Sequence, residues 1–495
     1  MPRPRHRKSV VFLNTLARCG VLGVCVAVAR LPAQLARYEA GVRLRAFERD
    51  YQRRMRDVTV RREVVPLLED AVRGFFSGNL PAVARSVDSA RSRLSVAAWS
   101  DERRHIEALQ YDIEERLVEP GRPIRVRVEA LYSAIKGEPD RIPSSGLQID
   151  VLAPDGTSSL RRSFAITTLP LHIELDTTKL DDADYSVEFS WRLEGQVVAN
   201  RRSVVSIARE PAARVAALRT YVHTTREASL EGVSMERATL AAHARQLRIL
   251  AAGRTLESDV AATRLLSEAE RLRAWLESDA TTRGAWFTKT RHGDLRVAFA
   301  AGETVAKGTI EARMFVPPPR DEPAPLVIAL AGAGASANMW FESYGAGSIV
   351  ELCRQRGWFL VARASAGFDP ITRTPAMIDS ISKRFAIDRR RIFVIGHSMG
   401  GMKACELAAR SPKLVSAVAA LGGAGRAGSD GDYASIPVFL ATGDRDFLRP
   451  QVLRLHESLA DANHARLRLE VFEACEHLGV VQHALPDVFE WLDRL

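Results

Sequence analysis

Ser398 stands in Gly396-His397-Ser398-Met399-Gly400, between the apolar, β-branched run Ile392-Phe393-Val394-Ile395 and the helix-forming stretch Met402 to Ala409. Strand, tight turn and helix, in that order, is the context in which a serine is held in a strained turn with its hydroxyl presented at the top of a sheet. Gly396 and Gly400 suit such a turn, because two backbones can approach closely only where no Cβ intervenes. The amide of Met399 opens the helix, where unpaired N–H groups and the helix dipole favour a developing negative charge. The serine hydroxyl is a poor nucleophile at neutral pH. It needs a histidine to take its proton and return it to a leaving group, and a carboxylate to hold that histidine in the right tautomer.

The elements that would position these groups begin after Gly284. Strands are predicted at Leu295 to Ala300, Thr309 to Val316, Leu326 to Leu330, Trp358 to Val361, Ile392 to Ile395, Val415 to Leu421, Val438 to Ala441 and Leu467 to Val471. Helices are predicted around Ala346 to Arg356, Thr374 to Phe385, Met399 to Ala409, Gln451 to Ala460 and His483 to Leu495. The alternation implies a mostly parallel sheet with helices on both faces.

The region 284–495 resembles the α/β-hydrolase superfamily, and within it the compact serine esterases grouped with polyhydroxybutyrate depolymerases, feruloyl esterases and dienelactone hydrolases. Four pieces carry the resemblance: Pro325 to Gly334 as oxyanion strand and loop, Gly396 to Gly400 as the nucleophile turn, Gly443-Asp444-Arg445-Asp446 as the acid turn, and Glu476-His477 as the histidine loop. The order Ser, Asp, His is that of the superfamily. The resemblance implies Ser398 as nucleophile, Asp446 as the acid with Asp444 as the alternative, and His477 as the base, since it follows the last strand and precedes the terminal helix. His483, where that helix starts, reads as structural. The oxyanion donors are expected to be the backbone amides of Met399 and of Ala333 or a neighbour. Many relatives carry His-Gly where this chain has Ala331-Gly332, so any bracing by that histidine side chain is lost. The implied chemistry runs through an acyl-enzyme and calls for no metal or cofactor.

Lids in this superfamily are often inserted after the sixth strand, and here only a short Gly- and Ala-rich connection, Gly422 to Ile436, separates two strands. An open, uncapped site is therefore expected, suited to polymer-linked or bulky esters and also accessible to small ones. Trp340, Phe341, Tyr344 and Phe368 are candidates to line it. Two other readings stand beside the esterase: a serine peptidase of the prolyl-oligopeptidase kind, against which the lack of propeller repeats counts, and a catalytically silent binding or envelope protein that keeps the fold.

Upstream, 495 residues leave room for further domains, and the net charge of +10 invites a nucleic-acid reading. The region from Gly284 onward is close to neutral, however, and no zinc-ligand spacing, basic–aromatic interleaving or helix-turn-helix pattern accompanies the excess, so nucleic acid is excluded as a partner. Residues 1–34 join a basic flank (Arg3, Arg5, Arg7, Lys8) to the apolar run Cys19 to Ala29, which reads as a secretory signal or a membrane anchor and implies a secreted or periplasmic protein. Apolar residues at helical spacing predict a helical region over 35–118. Alternation such as Ile124-Val126-Val128, with turns between short runs, predicts an immunoglobulin- or fibronectin-like β-sandwich over 119–210. A second helical region follows over 211–283. Outside the leader, Cys353, Cys405 and Cys475 are odd in number and sit in apolar runs, so they read as buried free thiols.

Overall fold

The computed structural model describes residues 31–135, 145–288, 291–364, 370–425, 433 and 436–495. The basic flank and apolar run of the leader, and Phe368, lie outside them. Among the described residues no helix is long and apolar enough to cross a membrane.

Three helices come first: α1 (Leu31–Arg54), α2 (Val58–Phe76) and α3 (Leu80–Leu94). Asp57 caps α2 by accepting from the amides of Thr59 and Val60, and Asn79 caps α3 by accepting from Ala82 N. Val64, Leu68 and Ala71 of α2 meet Phe47 and Tyr51 of α1 and Val83 and Val87 of α3 in a core of their own. Arg43, fully buried, ties this unit to the residues that lead into the first strand. Its guanidinium pairs with Glu39 and with Asp88 (2.7 Å) and donates to the carbonyls of Glu107 (2.9 Å) and Leu109 (2.8 Å).

After a short helix α4 (Asp101–Glu107), eight strands form two sheets: β1 (Leu109–Ile113), β2 (Leu117–Val118), β3 (Ile124–Ala130), β4 (Ser145–Leu152), β5 (Ser158–Ile166), β6 (Leu171–Leu175), β7 (Ala183–Leu193) and β8 (Gln196–Ile207). One sheet has the order β1-β3-β6 and the other β2-β8-β7-β4-β5, and their buried residues, Val126, Ile149, Phe189 and Trp191 among them, share one core. Three strands depart from the sequence expectation. β1 and the two-residue β2 lie in the stretch read as helical, because the alternation of Leu109, Tyr111 and Ile113 is only five residues long and comes directly after helix-forming residues. β5 is an edge strand whose Ser- and Arg-rich face is exposed, so it carries little apolar periodicity.

Helices α5 (Pro211–Thr224), α6 (Ser234–Ala251) and α7 (Ala262–Glu277) come next. The two helical segments meet through the turn before α7: Tyr38 Oη donates to Asp259 (3.0 Å), Arg116 pairs with Asp259 (2.8 Å), and Arg37 pairs with Glu257 (3.3 Å).

The C-terminal sheet contains β9 (Gly293–Ala300), β10 (Thr309–Val316), β11 (Ala324–Leu330), β12 (Phe359–Arg363), β13 (Ile387–His397), β14 (Ala417–Leu421), β15 (Val438–Gly443) and β16 (Leu467–Phe472), in the order β16-β15-β14-β13-β11-β12-β10-β9. It is a mixed sheet: β9, β10 and β12 pair antiparallel, and the strands from β12 through β11 to β16 run parallel. Helices α8 (Ser348–Arg356), α9 (Pro370–Ser382), α10 (Met399–Arg410), α11 (Arg449–Asp461) and α12 (Gly479–Leu492) fill the connections, and two separate apolar cores cover the two faces. The exposed edge β9 is closed by α6. Thr239 Oγ1 accepts from Ala298 N (3.0 Å) and His243 Nε2 donates to Arg296 O (3.1 Å), which satisfies an edge that would otherwise invite pairing with another chain. Cys353, Cys405 and Cys475 are free and buried, as expected.

Candidate active site

Ser398 follows β13 directly and precedes α10, with φ 56° and ψ −121°. For a residue with a Cβ this conformation costs about 1–3 kcal/mol, and it persists only where the surroundings enforce it. The enforcement is visible. A Cβ on Gly396 would strike the carbonyl of Gly400, and one on Gly400 would strike the carbonyl of Leu330, so the turn is pressed against both its own helix and the end of β11. Ser398 N donates to Leu421 O (2.9 Å) at the end of β14, which fixes the turn from the other side. Met399 opens α10, with its amide at the helix N-terminus.

His477 and Asp446 come together from the loops after β16 and β15. His477 Nδ1 donates to Asp446 Oδ1 at 2.9 Å, and both side chains are buried. The same Oδ1 accepts from Leu448 N (2.9 Å), which orients the carboxylate. Burial pulls the His477 pKa down, but the Asp446 charge, the hydrogen bond to it and nearby Glu476 outweigh burial and hold it above the ordinary 6.5. The alternative acid, Asp444, accepts instead from Cys475 N (3.2 Å) and shapes the loop. His483 hydrogen-bonds Tyr51 of α1 (3.0 Å) and stacks on Phe472, in line with a structural role. Glu476 accepts from the amides of Leu478 and Gly479 (both 2.8 Å) at the start of α12, so the residue before His477 is anchored too.

The loop after β11 has a brace that the sequence did not reveal. Gly332 N–H donates to Tyr344 Oη (3.4 Å), Tyr344 Oη lies 2.9 Å from His397 Nδ1, and His397 Nε2 lies 3.0 Å from the carbonyl of His477. A carbonyl can only accept, so His397 carries its proton on Nε2 and accepts a hydrogen bond from the Tyr344 hydroxyl at Nδ1. Burial, reinforced by the neighbouring His477, pushes the His397 pKa well below 6.5 and keeps this arrangement neutral. The chain thus joins the loop at Gly332, the nucleophile turn and the histidine loop. His397 sits inside the pentapeptide, but nothing in its spacing signals this partner, which lies 53 residues away. Ala331 N and Gly332 N are engaged by Arg363 O and Tyr344; Ala333 comes next in the loop.

A sequence model described as "alpha/beta hydrolase fold" matches residues 325–456, the stretch from β11 into α11. The C-terminal region has the α/β-hydrolase fold. No curated protein sequence matches the chain significantly. Solved structures similar to part of this chain include the feruloyl esterase module from Clostridium thermocellum, at 13% identity over 40% of this chain and 87% of that one, TM-score 0.35. They also include an S-formylglutathione hydrolase from Staphylococcus aureus, at 12% identity over 41% and 99%, TM-score 0.35. A third is an acetyl xylan esterase from Aspergillus awamori, at 14% identity over 38% and 94%, TM-score 0.31.

The N-terminal helices border the candidate site. Ser398, His477 and Gly332 to Ala335 form the floor of a cavity of about 150 Å³ whose other walls belong to the first three helices, through Ala40 and Leu44 of α1, Val72 and Phe75 of α2, and Val83 and Val87 of α3. This corrects the expectation of an uncapped site. Among the described residues this cover comes from a segment some three hundred residues upstream of Ser398, which the length of the connection after β14 could not reveal. Of the aromatic candidates, Tyr344 lines the cavity. Trp340 is fully buried in the core, and Phe341 carries Arg313 over its ring at 4.4 Å.

Proposed function

We propose that this chain is a serine ester hydrolase acting through an acyl-enzyme, with Ser398 as nucleophile, His477 as general base and acid, and Asp446 as the carboxylate that orients it. The observation that carries the reading is a serine held at positive φ on a strand-to-helix turn, facing one cavity with a histidine whose far nitrogen is engaged by a buried carboxylate. In this reading His477 Nε2 takes the Ser398 Oγ proton as Oγ attacks the ester carbonyl. The imidazolium so formed is stabilised by Asp446, and its proton then goes to the departing alcohol oxygen. The amides of Met399 and Ala333 bind the oxyanion, the first supported by the dipole of α10. A water activated by the same imidazole then frees the acid and restores Ser398.

Exposure of the pure protein to an organophosphonate probe and to short p-nitrophenyl esters tests this. The expected result is stoichiometric labelling with turnover, both abolished in Ser398→Ala. Labelling that persists in Ser398→Ala, or a wild type that neither labels nor turns over, would sink the assignment. Faster cleavage of peptide amides than of esters would move it to a peptidase.

A further inference from the structure

The geometry points to a compact apolar acyl chain of about six carbons as the group the site is built to hold, with the N-terminal helices as its binding wall; the inference rests on the ester-hydrolase reading. An acyl group bound to Ser398 keeps its carbonyl at the loop Gly332 to Ala335, and both line the cavity of about 150 Å³. The alcohol must leave on the side of His477, which protonates it. His477 borders a second hollow there, walled by Phe447 and the charged Arg73, Arg445 and Glu69. His477 lines both hollows, and the first, which alone also holds Ser398 and the loop Gly332 to Ala335, is assigned to the acyl group.

Its character and size are set by the residues around it. The walls given by α1, α2 and α3 are alkyl or aromatic. The charged groups at the rim are already engaged: Arg37 with Glu257 (3.3 Å), Arg45 with Glu342 (3.4 Å), and Glu257 again with Ser336. Ser258 Oγ, buried and without a partner among the described residues, adds a single hydroxyl to the wall. A largely apolar cavity of roughly 150 Å³ has room for a group about the size of benzene. Phe75 sets the limit. A Cβ on Gly334, where φ is +71°, would lie 2.8 Å from Phe75 Cζ, so the ring lies directly on the loop that would bind the oxyanion. Phe75 is also 37% exposed and packs edge-on against Phe76.

The test is a p-nitrophenyl ester series from acetate to dodecanoate. Wild-type kcat/KM is expected to rise about fourfold per methylene up to hexanoate and to fall beyond it. Val72→Trp, which fills the cavity from a half-buried position, should lower the hexanoate-to-acetate ratio at least tenfold. Phe75→Ala, which opens the far wall, should raise the dodecanoate-to-hexanoate ratio at least tenfold. A flat profile in an enzyme that still hydrolyses acetate, or ratios that neither substitution moves in variants with wild-type melting curves, would overturn the acyl pocket and leave the hydrolase reading standing. Loss of all turnover and labelling in the wild type would overturn both.

Discussion

In the proposed mechanism the His477–Asp446 pair sets the pH behaviour of the chemistry. His477 must be neutral to accept the Ser398 proton, and its pKa is held above 6.5 because the carboxylate stabilises the imidazolium more than burial destabilises it. Activity should therefore rise with pH through a midpoint above 6.5, and kcat/KM against pH measures that limb. Asp446→Asn removes the charge that raises the pKa while burial remains. Its limb should move to lower pH, and kcat should fall by about 10⁴ because the wrong tautomer is no longer excluded. A variant with an unmoved limb would mean that another group titrates. Glu476, whose carboxyl burial pushes up to about 7 despite the two amides it accepts, is the alternative.

At the scale of elements, the sheet was legible because its central strands are buried on both faces and read as short apolar runs; β11 has no exposed residue, and the eight expected strands all form. The cover was not legible. The apolar stripe of α2 serves two purposes at once, with Val64 and Leu68 closing the three-helix core and Val72 and Phe75 facing the cavity, and periodicity cannot tell one from the other. The brace on the loop after β11 escaped for a similar reason, since it joins three loops distant in sequence. That brace makes a prediction. Tyr344→Phe keeps the ring packed against Trp340 and His397 but removes the hydroxyl between Gly332 N and His397 Nδ1. If the loop positions an oxyanion donor, the loss should appear in kcat, about tenfold, with KM nearly unchanged, because the transition state gains more from that donor than the ester does. An equal loss through KM would place Tyr344 in substrate binding instead.

For the whole molecule the question is what seats the helical cover on the hydrolase. Part of the answer is a buried polar junction under α1. Gln482 of α12 donates to Glu48 O (3.2 Å), Tyr51 bonds His483, and the Glu48 carboxyl accepts from Gly345 N and lies near that of Glu476. Burial first, then the Glu476 charge, raises the Glu48 pKa well above 4.5. The folded state thus holds a proton on Glu48 that the unfolded chain has already released, and stability falls as pH rises from about 4.5 toward the folded pKa. His483, lowered to about 4 by burial and Arg61, and His397 act in the opposite sense, gaining stability as pH climbs to 6.5. The wild-type curve therefore mixes the two, and a single variant separates them. Glu48→Gln keeps an acceptor for Gly345 N and cannot ionise, so its histidine contribution is unchanged while the carboxylate penalty disappears. Its Tm should exceed that of the wild type by a few degrees more at pH 8 than at pH 5, a difference that thermal melts at the two values read directly. A constant offset between the two proteins at both pH values would mean that Glu48 is already ionised in the folded chain, and that α1 is held against the hydrolase by packing and by Arg43, Tyr51 and Gln482 rather than by a proton at Glu48.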